Sequence, residues 1–178
     1  MKLASSLGIV VALVASCGAD DGGGGGGGGE PVALAGILAA HNQVRASHGQ
    51  AALSWDDDLA EIAATWAAAC VDVEAPAGLI DHNPGRSDTY PEYVGENIFG
   101  SSAPTTGTSA VSAWASEESD YDYDTNTCTG VCGHYTQLVW AETTKVGCAM
   151  HACPGLTFGN AIVCNYAPGG NVNGRRPY

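Results

Sequence analysis

The first candidate for a functional side chain is His134, which lies in the run CGHYTQLVWAETTKVGCAM from Cys132 to Met150. From His134 onward the residues alternate in character, as in a half-buried strand, and an apolar run resumes at Val146 after a polar turn. We therefore predict a β-hairpin with His134 at the mouth of its first strand. Cys132 and Cys148 bracket this hairpin, so disulfides would hold the imidazole still. A histidine held in this way can ligate a metal ion or transfer protons near neutral pH.

A carboxylate that could work with a histidine lies on a third helix, predicted for Ser109–Tyr121. Glu117 stands one turn beyond the apolar Trp114, so the two side chains share a helix face and the carboxylate points inward. An isolated charge is costly there, so Glu117 needs a partner. A histidine or a metal ion would serve, whereas the neighbouring Glu118 is expected in solvent.

Two earlier helices must help to position these groups. From Pro31 to Gly49 apolar residues recur at helical spacing, and Gly49 is placed to end the helix. His41 falls on its inward face, where we expect a hydrogen-bonded core histidine rather than a metal ligand, and His48 is expected to be a solvated helix end. A second helix is predicted for Asp56–Cys70, because an acidic first turn favours a helix N-terminus.

A further histidine, His82, stands in the segment Val71–Tyr93, which proline, glycine and aspartate mark as irregular. It could face a functional site or simply occupy a surface loop. Beyond the hairpin, Asn160–Tyr166 is predicted to form another strand.

Composition narrows the class of protein. The chain has 178 residues and a formal net charge of −13, with only six basic residues. One globular domain of ordinary size is expected. So acidic a surface repels nucleic acid and anionic lipid headgroups, and we expect neither as a partner.

The N-terminus predicts export. Residues 1–17 combine Lys2 with a short apolar stretch and end in Val-Ala-Ser-Cys, which resembles a bacterial lipobox with Cys17 as the lipidated residue. The alternative is an ordinary signal peptide cut near Ser16, leaving Cys17 unpaired. Residues 18–30 contain eight consecutive glycines and are expected to be a flexible tether, followed by a globular domain over 31–178.

Without Cys17 the chain holds an even six cysteines. Zinc-type spacings such as C-x-x-C are absent, and export implies an oxidising compartment, so disulfides are expected rather than cysteine ligation of a metal. Six cysteines allow fifteen pairings, and the residues alone leave the choice open.

Three motifs together resemble the CAP superfamily of cysteine-rich secretory, antigen five and plant pathogenesis-related group-one proteins. They are Gly95-Glu96-Asn97, the run GHYTQLVW and the terminal run CNYAPGGNVNGRRPY, in the family's order. The likeness covers roughly Leu34 to Tyr178 and is nearest to the plant branch and its bacterial relatives. It implies an α+β fold, a three-layer α-β-α sandwich with a central antiparallel sheet. It also implies three disulfides, Cys70–Cys153, Cys148–Cys164 and Cys128–Cys132.

The resemblance further implies a central cavity in which two histidines face two glutamates, namely His82, Glu96, Glu117 and His134. Such a set suits a divalent cation, zinc above all, with His82 and His134 as principal ligands and the carboxylates completing the shell or orienting the rings. Two alternatives are a buried polar network that only supports the fold, and acid–base catalysis.

For function, we expect an exported binding module, anchored to the bacterial cell envelope or secreted, rather than an enzyme. Some relatives bind sterols or other lipids, although the loop holding Tyr121 and Tyr123 is polar for a sterol site. The alternative is a Ser/His/Glu hydrolase of the same cavity, for which Ser101 and Ser102 would be candidate nucleophiles. No nucleophile signature such as G-x-S-x-G supports it.

Overall fold

A computed structural model describes residues 29–178 of the chain. The predicted export signal, its lipobox cysteine Cys17 and nearly all of the glycine tether lie outside the described residues. The described part forms four α-helices: α1 Ile37–Ser47, α2 Asp57–Ala69, α3 Gly107–Ser116 and α4 Gly133–Leu138. Its strands are β1 Ser54–Trp55, β2 Gly95–Ser101, β3 Tyr121–Asp122, β4 Thr127–Cys128, β5 Lys145–Ala152 and β6 Asn160–Ala167.

The main sheet has the strand order β1-β5-β6-β2, which places β2 at one edge. β5, β6 and β2 are antiparallel, and the two-residue β1 runs parallel to β5. Helix α2 covers one face of this sheet, and α1, α3 and α4 cover the other. The predicted three-layer α+β sandwich is therefore confirmed, with a sheet that is antiparallel except for β1.

Helix α2 agrees with its prediction to within a residue at each end. Asp56 is the N-cap and accepts a hydrogen bond from the backbone N–H of Leu59, and Cys70 ends the helix in a left-handed conformation. The buried positions Leu59, Ala63 and Ala67 recur every four residues and face the sheet. A β-carbon on Gly147 of β5 would lie only 2.2 Å from the backbone nitrogen of Ala60, so glycine permits this close packing.

The predicted strand through His134 is wrong: this segment is helix α4. Tyr135, Leu138 and Val139 are buried at a spacing of three and four residues, which is helical. Over so short a run the alternating pattern and the helical pattern coincide, so periodicity could not separate them. The strand predicted from Val146 is present as β5.

Two helix boundaries also differ. The first helix is interrupted, because a 3-10 turn at Val32–Leu34 ends before Gly36, whose φ of +87° is left-handed, and α1 begins only at Ile37. The third helix becomes a 3-10 turn at Glu117–Asp120, so Tyr121 opens a strand instead of ending a helix.

The predictions for His41 in α1 and for His48, the residue that follows α1, have different outcomes. His41 is fully buried and hydrogen-bonded, as expected. The prediction that His48 is solvated is wrong, since its side chain is only 14% exposed and its ring contacts those of Tyr135 and Tyr178.

The structure forms the three disulfides that the resemblance implies, Cys70–Cys153, Cys128–Cys132 and Cys148–Cys164. The segment Val71–Tyr93 contains neither helix nor strand, and β6 matches the predicted strand with one more residue. No helix within residues 29–178 has the length and apolar character needed to cross a membrane.

Candidate functional site

Glu117 hydrogen-bonds to His134 and caps α4, the helix that contains His134. Its Oε1 accepts a hydrogen bond from His134 Nδ1 at 2.6 Å, and its Oε2 accepts from the backbone N–H groups of His134 and Tyr135 at 3.0 and 3.2 Å. The N-cap residue of α4, Cys132, supplies no side-chain cap of its own. Glu117 therefore caps α4 from another element, and a carboxylate at a helix N-terminus is electrostatically favourable.

Glu96 likewise hydrogen-bonds to the ring of His82 and to a neighbouring backbone N–H. Its fully buried side chain accepts hydrogen bonds at Oε1 from His82 Nδ1 at 2.7 Å and from the backbone N–H of Asn83 at 2.9 Å. The amide of Asn165, oriented so that its oxygen accepts from the backbone of Ala63, donates to Glu96 Oε2 at 3.2 Å. These donors satisfy a carboxylate whose burial would otherwise be costly.

The two rings meet at one cleft of about 260 Å³, lined by both His82 and His134. Ile98 of the edge strand β2 and the apolar Leu79 and Ile80 form part of its wall. Neither Glu96 nor Glu117 lines the cleft, whereas the acidic residues Glu74 and Asp81 do. The four predicted residues thus lie together as two pairs, with the imidazoles facing the cleft and each carboxylate behind its ring.

The edge position of β2 explains how two layers contribute to one cleft. Side chains alternate along a strand. Glu96 and Ile98 point to the α2 side of the sheet, and Asn97 points to the side of α4. His82 reaches the edge from the loop after α2, and His134 reaches it from α4.

The carboxylates also decide which ring nitrogens are available. A carboxylate can only accept, so Nδ1 of each ring carries the hydrogen and Nε2 keeps its lone pair. Within the described residues, Nε2 of His82 and Nε2 of His134 have no hydrogen-bond partner. A histidine that donates from Nδ1 to a carboxylate and leaves Nε2 open is the usual arrangement of a metal-ligating histidine.

The two rings differ in how firmly they are held. His134 is 27% exposed and stacks on the buried indole of Trp114, with ring centroids 6.2 Å apart. Trp114 is itself fixed, because its Nε1 donates to the backbone oxygen of Ile98. His82 is 57% exposed and depends mainly on Glu96. His134 is therefore the rigid half of the site.

Among groups of three or more potential ligands in the described residues, the one with spacing that could hold a metal ion lies elsewhere, in the core. Atoms of His41, Cys148 and Cys164 lie within 4.8 Å of one another in the core. The two sulfurs are bonded to each other, and both nitrogens of His41 are hydrogen-bonded, to the Ile37 carbonyl and the Tyr166 hydroxyl. This group can ligate only after reduction of the disulfide.

The remaining candidates lie away from the cleft. Ser101 and Ser102 are not among its lining residues, and Ser101 Oγ accepts a hydrogen bond from the backbone of Ala103. Tyr121 packs against Tyr135, and Tyr123 stacks on Tyr178 with centroids 4.8 Å apart. The geometry gives no support to a serine nucleophile beside His82 or His134.

Sequence reasoning assigned no role to Asn97 or Asn165. Both are almost fully buried, and both bond to parts of the histidine–glutamate pairs. A signal did exist for Asn97, because the residue after a buried Glu96 on a strand must face the opposite layer.

Fold and site together define a disulfide-linked α-β-α sandwich with a histidine-lined cleft at the edge of its sheet. The chain belongs to the cysteine-rich secretory protein family, known as CAP, whose sequence model matches residues 38–166. It is 37% identical over 161 residues to GLIPR1-like protein 1 of Mus musculus, a match that covers 84% of this chain and 65% of that protein. It is 40% identical over 139 residues to pathogenesis-related protein 1 of Arabidopsis thaliana, covering 78% of each.

Solved structures show the same fold. Venom allergen-like protein 4 of Schistosoma mansoni superimposes with a TM-score of 0.64 at 28% identity, covering 84% of this chain and 95% of that one. The structure of NaASP2 with Zn²⁺ gives a TM-score of 0.60 at 26% identity, covering 80% and 82%. The three disulfides of the present chain fit the oxidising compartments in which secreted proteins fold.

Proposed function

We propose that this chain is an exported binding domain whose cleft holds a divalent transition metal, zinc above all, through Nε2 of His82 and Nε2 of His134. One observation carries the proposal: both imidazoles line the same cleft with Nδ1 engaged by a carboxylate and Nε2 open. Neutral imidazole suits zinc. The zinc recorded with NaASP2, a protein of the same fold, is consistent with this choice.

Each residue has a defined part in this proposal. The two Nε2 atoms donate the lone pairs, and the two glutamates fix the orientations of the rings. Two protein ligands would leave coordination positions open, so a bound metal would offer an attachment point for an oxygen or nitrogen donor of a partner molecule. This is a binding role and needs no nucleophile.

Attachment of the domain to the cell envelope is the second part of the proposal. All six cysteines within residues 29–178 are paired, so that part of the chain offers Cys17 no disulfide partner. We propose that Cys17 is lipidated and that the glycine-rich stretch holds the CAP domain away from the membrane.

The test of the metal site is zinc titration by calorimetry at pH 7. His82→Ala and His134→Ala should each weaken binding by at least about tenfold, because each removes one ligand. His151→Ala is the matched control, since His151 is an exposed histidine at the far end of β5. Unchanged affinity in both site variants would place the metal elsewhere. Absence of zinc binding in the wild type would leave the four residues as a structural network.

A further inference from the structure

A line of buried polar groups ends at the backbone carbonyl of His134. Asn97 is 1% exposed, and its Nδ2 donates to the backbone oxygen of His134 at 3.0 Å and to the hydroxyl of Tyr166 at 3.3 Å. The Tyr166 hydroxyl lies 2.9 Å from Nε2 of His41, whose Nδ1 lies 2.8 Å from the carbonyl oxygen of Ile37. The line joins α1, β6, β2 and α4 in turn.

The hydrogens of this line can point only one way. A carbonyl accepts, so His41 carries its hydrogen on Nδ1 and its Nε2 must accept. Tyr166 therefore donates its hydroxyl hydrogen to His41 and uses a lone pair to accept from Asn97. Both hydrogens of the Asn97 amide are thereby assigned, one to Tyr166 and one to His134. Asn97 thus contacts the His134 carbonyl through a hydrogen of its own, separate from the one that it donates to Tyr166.

We propose that Asn97 is a positioning residue for the metal site. It fixes the main chain of His134 at its carbonyl, while Glu117 fixes the same residue at its N–H and its ring. Consecutive residues of β2 thus set both imidazoles, Glu96 the ring of His82 and Asn97 the backbone of His134. This inference rests on the proposed function, since it is the metal affinity that Asn97 would control.

Loss of Asn97 has a specific consequence for the cleft. Helix α4 is only six residues long, so its direction depends on contacts outside itself. Without Asn97, the first turn of α4 keeps its hydrogen bonds to Glu117 but loses its hydrogen bond to β2. It can then tilt away from β2. Nε2 of His134 then moves relative to Nε2 of His82, although every ligand is still present.

The experiment compares Asn97→Ala with Tyr166→Phe. Asn97→Ala removes both donors and should lower zinc affinity by about 10- to 100-fold, the range typical of residues that orient ligands. Tyr166→Phe breaks the same buried line but leaves the contact between Asn97 and His134. It should destabilise the fold while zinc affinity stays within about threefold of wild type. Both affinities are measured at a temperature where circular dichroism shows each variant fully folded.

A second readout needs no metal. The imidazole resonances of His134 in metal-free protein should shift in Asn97→Ala and stay in place in Tyr166→Phe. If Asn97→Ala does not fold, Asn97→Ser replaces it, because serine is too short to make both contacts. Wild-type zinc affinity with unmoved His134 resonances in the Asn97 variant would reduce Asn97 to a structural role and overturn the inference. Absence of zinc binding in the wild type would instead refute the proposed function, and the metal-free spectra would still show whether Asn97 places His134.

Discussion

Acidification should destabilise this fold through one core histidine, His41. Burial disfavours the charged imidazole and lowers the pKa of His41 from 6.5 to about 4, outweighing the hydrogen bond to the Ile37 carbonyl, which raises it. Arg45 lowers the pKa further, and Glu30 raises it slightly. In the native state His41 therefore stays neutral over a range in which the unfolded chain binds a proton.

The change in unfolding free energy with pH follows from the difference in proton binding between the native and unfolded states. Between pH 6.5 and about pH 4 the unfolded chain binds more protons at this position, so the stability from neutral His41 is present above pH 6.5 and is lost as the pH falls. At 1.36 kcal/mol for each pH unit, the whole interval is worth roughly 3 kcal/mol. Most of that loss should already be seen at about pH 4.5.

The assay is guanidinium unfolding with disulfides intact, at about pH 7 and about pH 4.5, on the wild type and His41→Gln. The variant should be less stable at neutral pH, because it loses buried hydrogen bonds. Its free energy of unfolding should nevertheless fall by about 2 kcal/mol less than that of the wild type between the two pH values. His151→Gln, which alters an exposed histidine, should parallel the wild type. Parallel pH dependence in wild type and His41→Gln would refute the assignment of a neutral buried His41.

Four further outcomes are expected. Replacing both Cys70 and Cys153 with alanine opens a link that spans 83 positions and should cost about 4–5 kcal/mol of unfolding free energy, measured by denaturant titration. Asp56→Ala removes the N-cap of α2 and should cost about 1–2 kcal/mol in the same assay, with no change in zinc affinity. Arg45→Met removes four hydrogen bonds to backbone carbonyls, three of them buried, and should cost at least about 3 kcal/mol, which thermal unfolding would detect. Cys17→Ala should move the protein from the membrane fraction to the soluble fraction, and an unmodified, soluble wild type would contradict lipidation.

The parts of the fold that sequence predicted well are those in which several local signals agree. Helix α2 has an acidic cap at Asp56 and an apolar stripe of helical period, and both gave the same boundaries. Helix α4 has neither an intrinsic cap nor the length to show a period. Its cap comes from Glu117, which lies 17 positions before His134, so only the folded chain shows why the segment is helical.

The candidate site, too, was predictable from sequence only in part. The resemblance named His82, Glu96, Glu117 and His134, and in the structure they form two hydrogen-bonded pairs whose imidazoles line one cleft. The order of hydrogen bonds behind them could not be obtained from sequence, because it depends on which nitrogen meets which carboxylate. Asn97 lay beside a named residue, yet its role became visible only when its contact with the His134 carbonyl was known.

The single carboxylate of Glu117 both starts α4 and orients the ring of His134. Formation of that helix and assembly of its half of the cleft are consequently one event, completed during folding. A metal ion would meet a ligand whose rotational freedom has already been lost, so its binding would order little further backbone. Binding of zinc should then leave amide hydrogen exchange in α4 almost unchanged, while the loop around the more exposed His82 gains protection.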